Sequence, residues 1–140
     1  MTNVPINYVA VLVAAVVYMV IGFLWYSPIL FGRPWMKLVG MKEGSMQGNQ
    51  KAMMKSMGLS FLTALVMTYV LAHFVYYVSA TTPTQGMQLG FWVWLGFVAT
   101  MGANEYIFAV KPKPWKLYGI NVGYILVSLL AMGAILAAWT

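Results

Sequence analysis

The chain has 140 residues, 62% of them hydrophobic and 7% charged, with no cysteine and a formal net charge of +6. Soluble domains carry about 25% charged residues, so this composition excludes a soluble globular domain and points to an integral membrane protein. The lack of cysteine excludes disulfides, thiolate metal sites and cysteine nucleophiles. The basic excess lies in short loops beside apolar runs, where it reports orientation and anionic lipid rather than nucleic acid.

Crossing a bilayer takes roughly 20 apolar residues, so residues 1–140 read as one domain of four spans. The first span is predicted at about 5–25, within an uncharged stretch that lasts to Gly32. It lacks the positive start of a signal peptide, and its bulky Trp25-Tyr26-Ser27-Pro28 end does not suit cleavage, so it is expected to remain in the mature chain. Ala10, Ala14, Tyr18 and Gly22 share one helical line, which allows close approach to a neighbour.

Residues 27–55 read as a long basic loop. Its second part, 45–58, is predicted as an amphipathic surface helix with Ser45 as N-cap, Met46, Met53, Met54 and Met57 on one face, and Lys51 and Lys55 away from it. Without cysteine, the methionines read as apolar packing rather than a copper site.

The second span is predicted at about 57–78, with Ser60, Ala64, Thr68 and Ala72 as a close-packing ridge. On an adjacent line stand Tyr69, His73 and Tyr77, whose hydroxyls could reach the single histidine. His73 with Tyr69 is a secondary candidate site, expected to be a neutral interhelical histidine rather than a proton relay, because no second titrating group accompanies it. Residues 79–85, uncharged and carrying Pro83, form a short link.

The third span is predicted at about 86–110, with Trp92 and Trp94 near one interface and Gly96, Ala99 and Ala103 on one face. Near its other end stands Glu105, followed by a turn bearing Lys111, Lys113 and Lys116, in which Pro112 and Pro114 forbid a continuous helix. The fourth span is predicted at about 117–139, with Gly119/Gly123 and Gly133/Ala137 spaced for close helix contacts. All eight Lys and Arg fall in the loops after the first and third spans. The positive-inside rule therefore makes both loops cytoplasmic, with Arg33, Lys37, Lys111, Lys113 and Lys116 as a basic surface and both termini outside. The expected location is the inner membrane of a prokaryotic cell.

Gly22, Tyr26, Arg33, Pro34 and Trp35 are echoed by Gly102, Tyr106, Lys113, Pro114 and Trp115. The fold class is therefore an all-α integral membrane protein whose four transmembrane helices form two parallel-repeat hairpins. Glu105 and Asn121 are placed at similar depth, so Glu105, Asn104, Asn121 and Tyr106 are the candidate polar cluster. Glu105 reads either as a proton or ion site, or as a structural group tied to Asn121, Arg33 or a loop lysine. No second acid, glycine loop or metal cluster accompanies it, so neither catalysis nor a cofactor is expected.

The stretch GFLWYSPILFGRPW at 22–35, together with KPKPWKLYGINVGY at 111–124, resembles the small four-span membrane proteins catalogued as domain of unknown function 1761. The resemblance covers essentially the whole chain and implies a fold, not an activity. Two functions follow as expectations: a small oligomeric transporter or channel using Glu105, or a structural or accessory membrane subunit that binds lipid or a membrane partner. Four helices barely enclose a cavity, and the small-residue ridges exceed what one bundle needs, so a homo-oligomer is expected, with anionic lipid at the cytoplasmic face.

Overall fold

The computed structural model describes residues 3–40 and 50–139, and all regular structure among them is helical. Helices α1 (Tyr8–Trp25), α2 (Gly32–Val39), α3 (Gln50–Tyr77) and α4 (Pro83–Val93) are followed by a π-helical turn (Trp94–Ala99), α5 (Thr100–Ile107) and α6 (Trp115–Ala138). Three helical segments, Tyr8–Trp25, Met53–Tyr77 and Trp115–Ala138, are long and apolar enough to cross a membrane.

The stretch expected as the third span differs from these. It runs without a gap through α4, the π turn and α5, but the π turn divides it, and its pieces of 11, 6 and 8 residues are each too short to cross as a regular helix. Two hydroxyls donate to carbonyls of the widened turn: Thr100 Oγ1 to Gly96 at 2.8 Å, and Tyr118 from α6 to Ala99. The stretch also ends at Ile107 rather than 110. Continuing it would require Pro112 to donate to the Phe108 carbonyl, and proline has no N–H to give.

The basic loop is partly helical as well. Gly32–Val39 forms α2, with Pro34 in its first turn where the missing N–H costs nothing, and Gly40 closes it in a left-handed conformation at φ 76°. Ser45 and Met46, expected in a surface helix, lie outside the described residues. From Gln50 onward the chain is one helix with the second span, so 50–58 is the first part of α3 rather than a separate surface segment. Met54 is exposed while Met53 and Met57 line a groove with α1.

Helix α6 is the hub. Half of its apolar length is buried, against 22% for α1 and for the spanning part of α3. It runs antiparallel to α1: Asn7 caps α1 by accepting from the Ala10 N–H at 3.2 Å while its Nδ2 donates to the Trp139 carbonyl at 3.1 Å. The core joins Ala10, Ala14, Leu71, Val75, Leu129, Met132 and Leu136. In α3, Ala64 and Thr68 are fully buried, and the Thr68 hydroxyl is satisfied by the Ala64 carbonyl at 2.9 Å. The link after α3 turns at Ser79, φ 56°, and tucks Ala80 into the core beside Ala10 and Ala137. A Thr82–Gln85 capping box with Pro83 then starts α4. The 79–85 link therefore shares one end of the bundle with the start of α1 and the end of α6, and the two basic segments share the other.

The closest helix approach joins α4 to α6. A Cβ at Gly86 would fall on the Gly133 carbonyl, and one at Gly90 on the Leu129 carbonyl. The ridge of the third segment is thus Gly86 and Gly90. Gly96, expected on that ridge, faces open space, and so does Gly119. The ridges that suggested self-association, on α3 and at Gly133/Ala137, are used inside one chain.

These contacts separate two glycine substitutions. Gly86→Ala drives a methyl into the α6 backbone and is expected to cost about 2–3 kcal/mol or more, the scale of an overpacked core. Gly119→Ala meets nothing and should stay within about 0.5 kcal/mol of the unchanged chain. Parallel thermal melts in one detergent check both; equal melting temperatures would contradict the α4–α6 seam.

Candidate functional site

The turn after α1 is built by its own residues. Ser27 Oγ donates to the Leu24 carbonyl at 2.7 Å, Phe31 N to the Trp25 carbonyl at 2.9 Å and Gly32 N to the Ser27 carbonyl at 2.9 Å. Gly32 is required there, because a Cβ would overlap the Tyr26 carbonyl. The Trp25 and Phe31 rings pack at 4.6 Å, and the Tyr26 and Trp35 rings at 5.3 Å. The turn thereby fixes the directions of Trp25 and Tyr26.

Both side chains dock on the first turns of α6. Trp25 Nε1 donates to the Ile120 carbonyl at 2.9 Å, and the Tyr26 hydroxyl donates to Asn121 Oδ1 at 2.8 Å. The Trp25 ring lies over Gly123, where a Cβ would stand 3.2 Å from it. In return Tyr124 reaches from α6 to α1: its hydroxyl donates to the Tyr18 carbonyl at 2.9 Å and lies over Gly22, 2.9 Å from where a Cβ would sit. Gly123 thus seats an aromatic ring rather than a second helix backbone. The two stretches 22–35 and 111–124 are the two sides of one interface.

The candidate polar cluster divides. Asn121 is half-buried and bonded to Tyr26, with the Tyr106 phenol beside it. Asn104 and Glu105 lie exposed on α5. Glu105 pairs with Lys113 at 2.7 Å across its own turn, with side chains 66% and 43% exposed, and the Lys113 ammonium lies 5.6 Å from the Tyr106 ring centre. The hydrogen bond that Lys113 donates to Glu105 holds the Lys113 pKa above the ordinary lysine value of 10.5. A raised lysine pKa keeps the cation, and hence the pair, through neutral and mildly alkaline pH; that contribution fades only as pH rises through the raised value.

Tyr106 packs on Trp115 at 5.6 Å, as Tyr26 packs on Trp35, so each tyrosine meets the tryptophan that follows its basic-proline pair. Among the described residues His73 bonds within its own helix: its Nδ1 lies 2.9 Å from the Tyr69 carbonyl one turn back, and its ring meets the Tyr69 ring at 4.7 Å. Arg33, Lys37, Lys111 and Lys116 are exposed. Among the described residues no group of three or more His, Asp or Glu could hold a metal ion.

A family model described as "Protein of unknown function (DUF1761)" matches residues 9–137. The chain belongs to this family. No curated protein and no solved structure matches it. Within a DUF1761 chain, then, the motif residues Trp25, Tyr26, Gly32, Asn121 and Tyr124 form the α1–α6 junction.

Trp94 extends the junction on the other side of α6, donating from Nε1 to the Val122 carbonyl at 2.7 Å. Sequence reasoning placed Trp94 only as an interface marker and left Trp25 without a partner. The signal available was the glycine at 123 and the indole at 25, a large donor and a bare backbone.

Removing the Tyr26 hydroxyl should leave the Asn121 amide short of a donor. Tyr26→Phe is expected to cost about 0.5–1.5 kcal/mol, the net contribution of a half-buried hydrogen bond. Tyr8→Phe, at an exposed ring, should cost nothing measurable. Comparing the two melting temperatures in one detergent checks this, and a neutral Tyr26→Phe would show that the junction does not depend on this bond.

Proposed function

We propose that the protein is a structural or accessory membrane component, a bundle of four crossings that holds lipid or a membrane partner, rather than a carrier that moves ions through Glu105. The observation that carries this reading is the Glu105–Lys113 pair at 2.7 Å on the exposed side of a single hairpin. A transport carboxylate is held uncompensated in a cavity between helices, where protonation and substrate compete for it. Glu105 instead has a permanent cation eight residues on, in the turn that its own helix enters. The cross-helix polar contact is made by neutral groups, Tyr26 and Asn121.

The fourth crossing in this proposal is the α4–π–α5 stretch. At about 1.5 Å per residue it reaches roughly 37 Å, enough to cross a hydrocarbon core of about 30 Å with some tilt. With Arg33, Lys37, Lys111, Lys113 and Lys116 at one end of the bundle, that end is cytoplasmic and the 79–85 link and both helix termini opposite it are outside. The paired geometry of Tyr26–Trp35 and Tyr106–Trp115 supports the reading of the chain as two related hairpins.

Two measurements test this. In proteoliposomes the unchanged protein should show no pH-driven flux, and Glu105→Gln should shift the melting temperature only slightly, because exposed ion pairs contribute little. Flux that Glu105→Gln abolishes would replace this reading with transport. For orientation, the absence of native cysteine allows single-cysteine labelling: an impermeant thiol reagent outside intact cells should modify Thr82→Cys and spare Lys37→Cys, and the reverse pattern would invert the topology.

A further inference from the structure

Between α1 and α3, at the basic end of the bundle, lies an open groove of about 360 Å³ whose floor is Tyr124 of α6. Met19 and Phe23 line one wall and Met53 and Met57 the other. The missing side chain at Gly22 lets the Tyr124 ring lie against α1 and form that floor. Most of the polar atoms at its edge are already engaged: the Tyr124 hydroxyl by the Tyr18 carbonyl, the Tyr26 hydroxyl by Asn121, and the Ser60 hydroxyl by the Met19 sulfur at 3.7 Å. Beyond the Ser56 and Tyr18 hydroxyls, the lining is hydrocarbon, thioether and ring surface, suited to an apolar ligand, with methionines that adjust to an irregular one.

The charge around the groove selects the rest of the ligand. Arg33 and Lys37 follow the turn that closes α1, and Lys51 and Lys55 stand on the first turns of α3. All four are exposed, and the ion pair formed among the described residues is made by Lys113 instead. Glu105, the one acid among the described residues, is paired with Lys113, so an organic cation would meet aromatic rings in the groove but a positive field around it. An anion would meet the complementary field.

We propose that this groove seats one acyl chain of an anionic membrane phospholipid, with its phosphate at the Arg33, Lys37, Lys51 and Lys55 end. The volume suits a single chain rather than a whole lipid, so the second chain stays in the bilayer. The proposal rests on the membrane placement argued above, and alkaline carbonate extraction tests that placement separately: release of the protein from membranes would overturn both.

The binding test is native mass spectrometry of the full chain from mild detergent, after exchange with equal amounts of palmitoyl-oleoyl phosphatidylglycerol and phosphatidylcholine. The chain should retain one phosphatidylglycerol in clear preference to phosphatidylcholine. Arg33→Gln with Lys37→Gln should reduce that preference by about fivefold for each charge that contributes, since a basic residue near an anionic lipid is worth about 1 kcal/mol. Ser56→Phe, which fills the groove from α3, should lower retention of both lipids. Met57→Trp serves the same purpose should Ser56→Phe not fold. Equal retention of the two lipids by the unchanged chain, or retention unaltered by a folded groove-filling variant, would overturn the proposal.

Discussion

The contact of Gly86 with Gly133 sets how closely α4 crosses α6, and the rest of the bundle is arranged on the helix that this contact fixes. In hydrocarbon there is no hydrophobic force between helices, because lipid tails are as apolar as leucine. Association then depends on packing, and packing is best where two backbones touch. Gly86 and Gly90 supply such a surface on α4, and Gly133 supplies it on α6. With α6 held there, its other flank presents Ile120 and Tyr124 to α1.

Against that frame, aromatic side chains act as staples. Trp25 and Trp94 donate to the Ile120 and Val122 carbonyls, Tyr118 to Ala99 and Tyr124 to Tyr18. Each acceptor is a main-chain carbonyl, and a carbonyl has two lone pairs, of which a helix uses one. An indole N–H or phenol left unpaired in lipid would cost several kcal/mol. The same bond that removes this penalty ties two helices, and the ring adds apolar area at the crossing. Gly22 and Gly123 belong to this arrangement, because each leaves the space in which the opposing ring lies.

Much of this was legible in the sequence, though unevenly. Composition carried the membrane class, hydropathy placed α1 and α6 to within about three residues, though α3 starts at Gln50 and not at 57, and Pro112 with Pro114 marked the break before α6. The stretch 22–35 was visible as echoed by 102–115, and with 111–124 as a family motif, but neither pattern says which side chain meets which carbonyl, and Tyr26 and Asn121 stand 95 positions apart. The small-residue pattern misled for a physical reason. Gly86-Met87-Gln88-Leu89-Gly90 and the later Gly96, Ala99 and Ala103 both fit a packing ridge, and the π turn rotates the face between them. A π turn depends on partner contacts such as Tyr118 to Ala99, so helical periodicity alone could not place it.

The division of polar groups follows from what lipid tolerates. A carboxylate deep in the bilayer costs on the order of 2.5–3.5 kcal/mol even on insertion scales. Had Glu105 been paired to a cation on another helix, any separation of the two would leave each charge exposed to that cost. Pairing it with Lys113, in the turn its own helix enters, keeps the charges together whatever the other helices do. Across helices the chain uses Tyr26 with Asn121, whose neutral groups forfeit far less when they part. The ion pair is thus confined to one hairpin at the basic end, while neutral hydrogen bonds and ring contacts join α1 to α6.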